Sequence, residues 1–441
     1  MSTCSTNPIK FDCSLLPLYT PSEPSPRYSC EPALDERRLQ HTPRVNRPAP
    51  TGSFTKKSGK ITVTLFEQEN GIQVPTYGRH GFINGTVFLD DPQRITKVVM
   101  KIEGKLDSTI SEGGSTSIPL LIRRCALWER REENAACPTL LPFSCILPAM
   151  HTSGGSEQPL PPSYNVVYPG VPGFYVKCHY NISFAVTRSR HRTLDFFLTH
   201  STYVKISFTY SPRTRAHRPI VPSPCFFSAV KTSPEEWYQV FSEIRTRPKA
   251  QLESIFCHLF IPASRVYGLS DKIPFHIQLN GPLSSLRKFL LPHSEDPTPS
   301  ESSNHRSKSH EKCPFQTVKP RFKVYILRQT HVATRGQTAC RNTILGEGEV
   351  WEIPPDVSPI CEPQDAIHLD WEGEVRCNEN VTVGGFMAGN VVVKDFIVLS
   401  LDPPEHQKAS LFLTLQITVP IKLVTDSWLE VTDYEQPVAA V

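Results

Sequence analysis

The stretch from residue 160 to residue 188 constrains the fold of this chain more than any other. Its second half alternates strictly between apolar and polar or small side chains, the apolar positions being Cys178, Tyr180, Ile182, Phe184 and Val186. A period of two over this length places one row of side chains on a core and the other towards water. It predicts a long strand of an antiparallel sheet or sandwich.

Shorter runs with the same alternation occur on both sides of this stretch, at residues 61–65, 98–102 and 204–208 and again at 273–279 and 411–419, and apolar runs at 322–327 and 391–401 are also predicted to be strands. Asn84-Gly85 predicts a turn between two of them. A chain of 441 residues is too long for one sandwich of about 100–200 residues. The patterns therefore predict an all-β protein with two tandem immunoglobulin-like β-sandwiches.

The predicted organisation has five parts. Residues 1–55 are proline-rich and form a disordered tail, and residues 56–218 form the first sandwich. Residues 219–248 are a linker with a short helix, because Ser233, Pro234 and Glu236 match a helix start with a capping box. Residues 249–426 form the second sandwich, with a disordered insertion at 292–314, and residues 427–441 are a tail. We expect proteolysis within the insertion before either sandwich is cut.

The composition argues against several classes of protein. Thirteen cysteines, an odd number without a C-x-x-C pair, favour reduced thiols over a disulfide framework or a zinc site. The sequence contains no phosphate-binding glycine loop, nucleophile elbow or zinc-protease motif, so neither an enzyme nor a cofactor is expected. A net charge of +4 is too small to indicate nucleic acid. The first residues lack a secretory signal, and no apolar run is long enough to predict a membrane span.

Two groups of residues resemble a known family. Leu160-Pro161-Pro162-Ser163-Tyr164 before a long alternating strand resembles the N-terminal domain of arrestin-like proteins, the fungal members in particular. The run from Val419 to Asp426, after a strand at 391–401 and Pro403-Pro404, is similar to the close of the arrestin C-terminal domain. The resemblance covers residues 54–426 apart from the insertion. It implies a non-catalytic cytosolic adaptor that links the tails of membrane-protein cargo to endocytic trafficking or ubiquitylation machinery, with recruitment to the plasma membrane or endosomes.

Pro161, Pro162 and Tyr164 are the first candidate partner-binding residues, because they match the P-P-x-Y ligand of WW domains. Alpha-arrestins use such motifs to recruit WW-domain ubiquitin ligases, although the family's working copies lie in the C-terminal tail, where residues 427–441 have none. The alternative is a structural lead-in to the strand, with the tyrosine packed.

Lys56, Lys57 and Lys60 are the second candidate set, since phosphate-binding lysines occupy a similar place in receptor-binding arrestins. The alternative is an edge strand protected by lysines. Residues 56–218 carry a net charge of +8 (20 basic against 12 acidic), whereas 233–427 carry −3 (20 against 23). The first domain is therefore expected to face anionic partners, including an anionic membrane surface. Further cations that widen this charge are Arg123, Arg124, Arg130, Arg131, Arg188, Arg190 and Arg192.

Three other functions remain open from the sequence. A vesicle-sorting scaffold of the retromer type shares the fold. A carbohydrate- or lipid-binding β-sandwich module requires a concave face with exposed aromatic side chains. A β-sandwich hydrolase requires an inward cluster of His, Asp and Ser in a pocket.

Overall fold

The computed structural model describes residues 50–131, 135–153, 155–189, 199–221, 225–290, 321–353, 366–403 and 411–428. The predicted insertion at 292–314 lies outside these ranges, as do residues 1–49 of the predicted tail and residues 429–441. The proteolysis expected within the insertion therefore stays a prediction.

The described residues are nearly all in β structure, as the alternation predicts, and they form two sandwiches. The strands of the first sandwich are β1 (Gly52–Ser58), β2 (Ile61–Gln68), β3 (Thr76–Tyr77), β4 (Phe82–Leu89), β5 (Ile95–Ile110), β6 (Gly114–Glu129), β7 (Leu140–Ile146), β8 (Met150–Ser153), β9 (Ser156–Pro159), β10 (Tyr164–Tyr168), β11 (Phe174–Ser189) and β12 (Thr199–Tyr210).

The first sandwich consists of two sheets packed face to face. One sheet has the order β1-β2-β4-β7, and the other has the order β3-β12-β11-β5-β6, with β10 paired to β11. The long alternating stretch forms β11, the central strand, whose apolar row is buried against the opposite sheet. Strands β8 and β9 form a separate hairpin. The sheet that contains β11 carries its polar row on its outer face, which positions the candidate site.

The second sandwich repeats this architecture. Its elements are α1 (Phe226–Thr232), β13 (Trp237–Ile244), β14 (Ile255–Pro262), β15 (Val266–Gly268), β16 (Ile273–Pro282), α2 (Leu283–Leu290), β17 (Arg321–Thr334), β18 (Gln337–Glu347), β19 (Glu349–Ile353), β20 (Ala366–Val375), β21 (Phe386–Ala388), β22 (Val391–Asp402) and β23 (Leu415–Val424). One sheet has the order β13-β14-β16-β20-β19, and the other has the order β15-β23-β22-β17-β18, with β21 paired to β22.

The helix predicted from Ser233 is wrong. Pro234–Glu236 makes only one 3₁₀ turn, and Trp237–Ile244 is then a strand that pairs along its length with β14. Val240 and Ile244 share a helical spacing, but the same segment also alternates, and sheet pairing decides between the two periods. The short helix of the 219–248 segment is α1 instead, and the first strand of the second sandwich begins at Trp237, before residue 249.

Two smaller predictions are also corrected. Strand β1 begins at Gly52, inside the predicted tail 1–55. Asn84-Gly85 is not a turn but lies inside β4. A Cβ atom at Gly85 would collide with the carbonyl oxygen of Thr64 and the ring of Phe143, so the glycine allows close approach of a neighbouring strand.

The two sandwiches share a packed junction. Five residues of the second sandwich belong to the apolar cluster of the first, namely Val332, Ala339, Ala388, Val391 and Val393. Asn390 Nδ2 donates to Ser108 Oγ at 2.9 Å, and Arg341 donates to the carbonyl oxygen of Pro172 at 2.8 Å. The junction is therefore both apolar and hydrogen-bonded.

Candidate functional site

The outer face of the β12-β11-β5-β6 sheet carries a row of cations. The strand register places Lys205, Ser183, Lys101 and Arg124 directly opposite one another across the four strands. Residues opposite one another in antiparallel strands point to the same side of the sheet. Three side chains in this row are therefore positively charged at neutral pH.

Further cations surround this row. We define the basic face as the outer surface of this sheet, with the cations Lys97, Lys101, Lys105, Arg124, Lys177 and Lys205 and the acidic residues Glu103, Asp107 and Glu129. Among the described residues, Lys177, Lys205 and Arg124 have no carboxylate within ion-pair distance. The face therefore presents uncompensated positive charge to solvent.

Glu103 lies at the centre of the basic face between two lysines. Its Oε1 is 3.1 Å from Lys101 Nζ and 3.0 Å from Lys105 Nζ. Partial burial disfavours the charged carboxylate, but the hydrogen bonds from Lys105 and Lys101 outweigh it and hold the pKa of Glu103 below its ordinary value. Glu103 thus remains charged and holds the two ammonium groups on the face.

His179 is a half-buried imidazole beside the same cations. Burial lowers the pKa of His179, and the positive charges of Lys177, Lys205 and Lys105 lower it further, against an opposing effect of Asp107. Its Nδ1 atom is buried without a hydrogen bond, 3.5 Å from Asp107 Oδ2. An anion bound among these lysines would favour the protonated imidazole.

The three lysines predicted as a phosphate site, Lys56, Lys57 and Lys60, each contact a different partner within the protein. Lys57 Nζ lies 3.5 Å from Asp90, and Lys60 Nζ lies 2.8 Å from Asp91. Lys56 Nζ instead donates to the carbonyl oxygen of Lys205 at 2.9 Å, so only Lys56 borders the basic face.

The predicted arginines are dispersed around this sandwich. Arg123 and Arg124 lie on β6, and Arg130 and Arg131 follow its end. Arg188 donates to the carbonyl oxygen of Asp91 at 3.2 Å, away from the centre of the basic face. Arg190 and Arg192 lie outside the described residues.

The Pro161–Tyr164 segment lies at the junction of the two sandwiches. The Tyr180 hydroxyl donates to the carbonyl oxygen of Pro161, and Ser163 exchanges two hydrogen bonds of 2.9 Å with the backbone of Tyr210. Pro161 is buried and Pro162 half-buried. Both line a cleft of about 440 Å³ between the sandwiches, together with Phe386 and Leu423.

Tyr164 reaches the second sandwich. Its ring packs edge-on against Phe386 with centroids 5.2 Å apart, and its hydroxyl lies 3.4 Å from Thr330 Oγ1. Tyr168 contacts the same Thr330 at 3.1 Å and Thr343 at 3.0 Å. A WW domain would have to withdraw the Tyr164 ring from these contacts before binding it. WW recognition therefore stays a hypothesis with a defined structural cost.

The full basic face was not among the residues predicted as a site. Lys97, Lys101 and Lys105 recur at every fourth position of one strand, which places them on one row, and this signal is visible in the sequence. The contributions of Lys205 and Arg124 depend on strand register, which the sequence does not reveal.

Comparison with known proteins gives no assignment, since no family model and no curated protein matches the chain. Among the described residues, no group of three or more His, Cys, Asp or Glu side chains is placed to hold a metal ion. Within the same part of the chain, no helix combines the length and apolar character needed to cross a membrane.

Proposed function

We propose that this protein is a non-catalytic cytosolic adaptor of the arrestin-like kind, which binds acidic segments of membrane-protein tails on its basic face. The observation that carries the proposal is the row of Lys205, Lys101 and Arg124, together with the uncompensated Lys177. In the wider role, which rests on the family resemblance, the bound cargo is linked to endocytic trafficking or ubiquitylation machinery at the plasma membrane or endosomes.

The physical properties of the basic face fit a weak and reversible interaction. Arg124, Lys177 and Lys205 are exposed and the other three cations are partly exposed, so each ion pair with a ligand gains little in water and is screened by salt. Several such pairs together steer an acidic segment towards the face and raise the association rate. We expect dissociation constants of about 1–100 μM that weaken as salt concentration rises.

The proposal is tested with synthetic acidic tail peptides and a charge-reversal variant. Replacing Lys101→Glu together with Lys205→Glu should weaken binding by about tenfold or more, because two attractive charges become repulsive. The matched control is Lys323→Glu with Lys394→Glu, which makes the same charge change at exposed positions of the second sandwich. Equal loss in both variants, or unchanged binding in the first, would contradict docking on the basic face.

The cellular role requires a second experiment. Affinity purification with mass spectrometry, with and without inhibition of ubiquitin ligases, should recover membrane-protein cargo with the wild-type chain and less cargo with the Lys101→Glu, Lys205→Glu variant. Recovery of coat or sorting subunits without ligases would favour the retromer-type scaffold instead.

One observation favours a second candidate function. The outer face of the β13-β14-β16-β20-β19 sheet exposes Phe241 (68%) and Phe256 (49%), and beside them Gln239 Nε2 lies 2.8 Å from His258 Nδ1. Exposed rings flanked by hydrogen-bonding groups suit a carbohydrate- or lipid-binding module. Binding of soluble polysaccharides or lipid vesicles that is lost in Phe241→Ala would support this function, and absence of binding by the wild type would exclude it for the ligands tested.

A further inference from the structure

Strand β6 is the terminal strand of its sheet. Its inner edge pairs with β5 along nearly its whole length, and within the described residues no strand pairs with its other edge. Residues 122–126 of β6 are all exposed, both those whose side chains lie on the outer face of the sheet and those whose side chains lie on the other face. This segment therefore presents a row of unpaired backbone N–H and C=O groups, which is a template for an added strand.

The charges on the side chains of this edge favour an added strand whose side chains carry the opposite charge. Arg124 lies opposite Lys101 on the basic face, whereas Arg123 lies opposite the buried Ile102 and so points to the other side. Consecutive arginines thus flank the edge on both faces, and neither has an ion-pair partner among the described residues. A second copy of this strand would bring arginine against arginine, while an acidic strand would meet opposite charge on both faces.

The neighbouring edge provides a contrast. Strand β7 ends the facing sheet, and it carries Pro142 in its middle. Proline removes a backbone donor, so strand addition at β7 is blocked where Pro142 lies. Residues 120–129 of β6 contain no proline, and their small side chains Cys125 and Ala126 leave room beside the edge.

We propose that residues 122–126 of β6 bind an extended acidic peptide segment of a partner as an added β-strand. The inference rests on the proposed function, because the ligand is the same acidic class, and it deepens that function by specifying the mode of binding. Backbone hydrogen bonds would supply part of the affinity, and acidic side chains facing Arg123 and Arg124 would supply the selectivity. An apolar side chain of the partner would pack on Ile122, which is 54% exposed.

The test uses the full chain and a synthetic eight-residue peptide with two consecutive glutamates flanked by valines and threonines. Hydrogen–deuterium exchange with mass spectrometry should show that the amides of residues 122–126 that point away from β5 exchange about tenfold or more slowly when the peptide is bound, because the others already pair with β5. An analogue with N-methyl groups on alternate backbone amides should bind at least about tenfold more weakly, because it lacks the ladder donors. A glutamine-for-glutamate analogue should also bind more weakly.

Protein variants complete the experiment. Arg123→Glu with Arg124→Glu should abolish protection of the edge, whereas the control Lys323→Glu with Lys394→Glu should preserve it. If the peptide binds without protecting residues 122–126, and the N-methylated analogue binds equally well, the strand-addition proposal is overturned while docking on the basic face stands. If this peptide does not bind at all, strand addition is overturned. The proposed function is then tested separately, by the binding of the acidic tail peptides to the basic face.

Discussion

The guanidinium of Arg328 donates to both carboxylate oxygens of Asp395, at 2.7 and 3.1 Å, in the interior of the second sandwich beside the junction. Both side chains are buried, and Arg328 also donates to the carbonyl oxygen of Val383 at 2.7 Å. The pair lies on adjacent strands β17 and β22, directly opposite in register. Its charges are therefore balanced within one sheet, close to the residues that Tyr164 contacts.

This geometry predicts the effect of breaking the pair. Asp395→Ala should lower the free energy of unfolding by about 3–5 kcal/mol, because it leaves the Arg328 charge buried without compensation. Combining Arg328→Met with Asp395→Leu should cost much less, since no charge is then buried. Urea denaturation of the single and double variants measures the difference. A single variant as stable as the wild type would show that the guanidinium finds another partner or water.

Substitution of Tyr164 distinguishes a structural role of the Pro161–Tyr164 segment from a role as a WW-domain ligand. Truncation of a fully buried aromatic side chain costs about 3–5 kcal/mol, so we expect Tyr164→Ala, at a half-buried position, to cost about 2–3 kcal/mol. Tyr164→Phe keeps the ring against Phe386 and should cost about 1 kcal/mol at most. Thermal melting measures both changes. Titration of the wild type with a WW domain is the companion assay, and micromolar binding with an unchanged melting temperature for Tyr164→Ala would favour the WW ligand.

Phe226 is predicted to hold helix α1 on the second sandwich. Its ring stacks on His276 with centroids 3.6 Å apart and meets Phe260 edge-on at 4.9 Å. Phe226→Ala should accelerate amide exchange throughout residues 226–232 and leave the β14 and β16 amides protected. Lys231→Ala is the matched control, because Lys231 lies in the same helix and its side chain is exposed. Equal exchange in both variants would mean that contacts other than those of Phe226 hold α1.

The buried thiols predict a loss of stability at alkaline pH. Burial raises the pKa of Cys257 to about 12, and burial is also the main cause that raises the pKa of Cys178 to about 12, from an ordinary value of 9.0. The folded state keeps these protons while the unfolded state releases them near pH 9. The stability they contribute is therefore complete below pH 9 and falls as pH rises towards 12.

Urea midpoints at about pH 8 and about pH 10.5 measure this loss, to which the buried tyrosines add in the same direction. Replacing Cys257→Val should reduce the difference between the two midpoints relative to the wild type. A matched observation is alkylation at about pH 8, where exposed Cys125 should react and buried Cys178 should not. An identical pH dependence in the variant would show that Cys257 does not contribute.

The sequence determined the features that are encoded locally. Alternation from Cys178 to Val186 is a property of consecutive residues, so it predicted a long strand, its buried row and the all-β class without any knowledge of neighbours. The every-fourth spacing of Lys97, Lys101 and Lys105 is a local signal of the same kind, although these lysines were not among the predicted site residues. Successive side chains of a regular strand point to opposite faces of the sheet. Which residues share a face can therefore be read from the sequence.

Only the tertiary structure decided which rows lie side by side. Lys205 joins Lys101 through two strand registers, and Arg328 meets Asp395 across 67 residues of chain. The segment from Trp237 to Ile244 fits both a helical and an alternating period, and pairing with β14 made it a strand. Gly85 follows an asparagine as in a turn, yet close approach of Thr64 requires it inside a strand. Strand register, the position of sheet edges and close backbone approaches all depend on contacts between segments that are distant in the sequence. The free energy of those contacts cannot be read from a local pattern of residues.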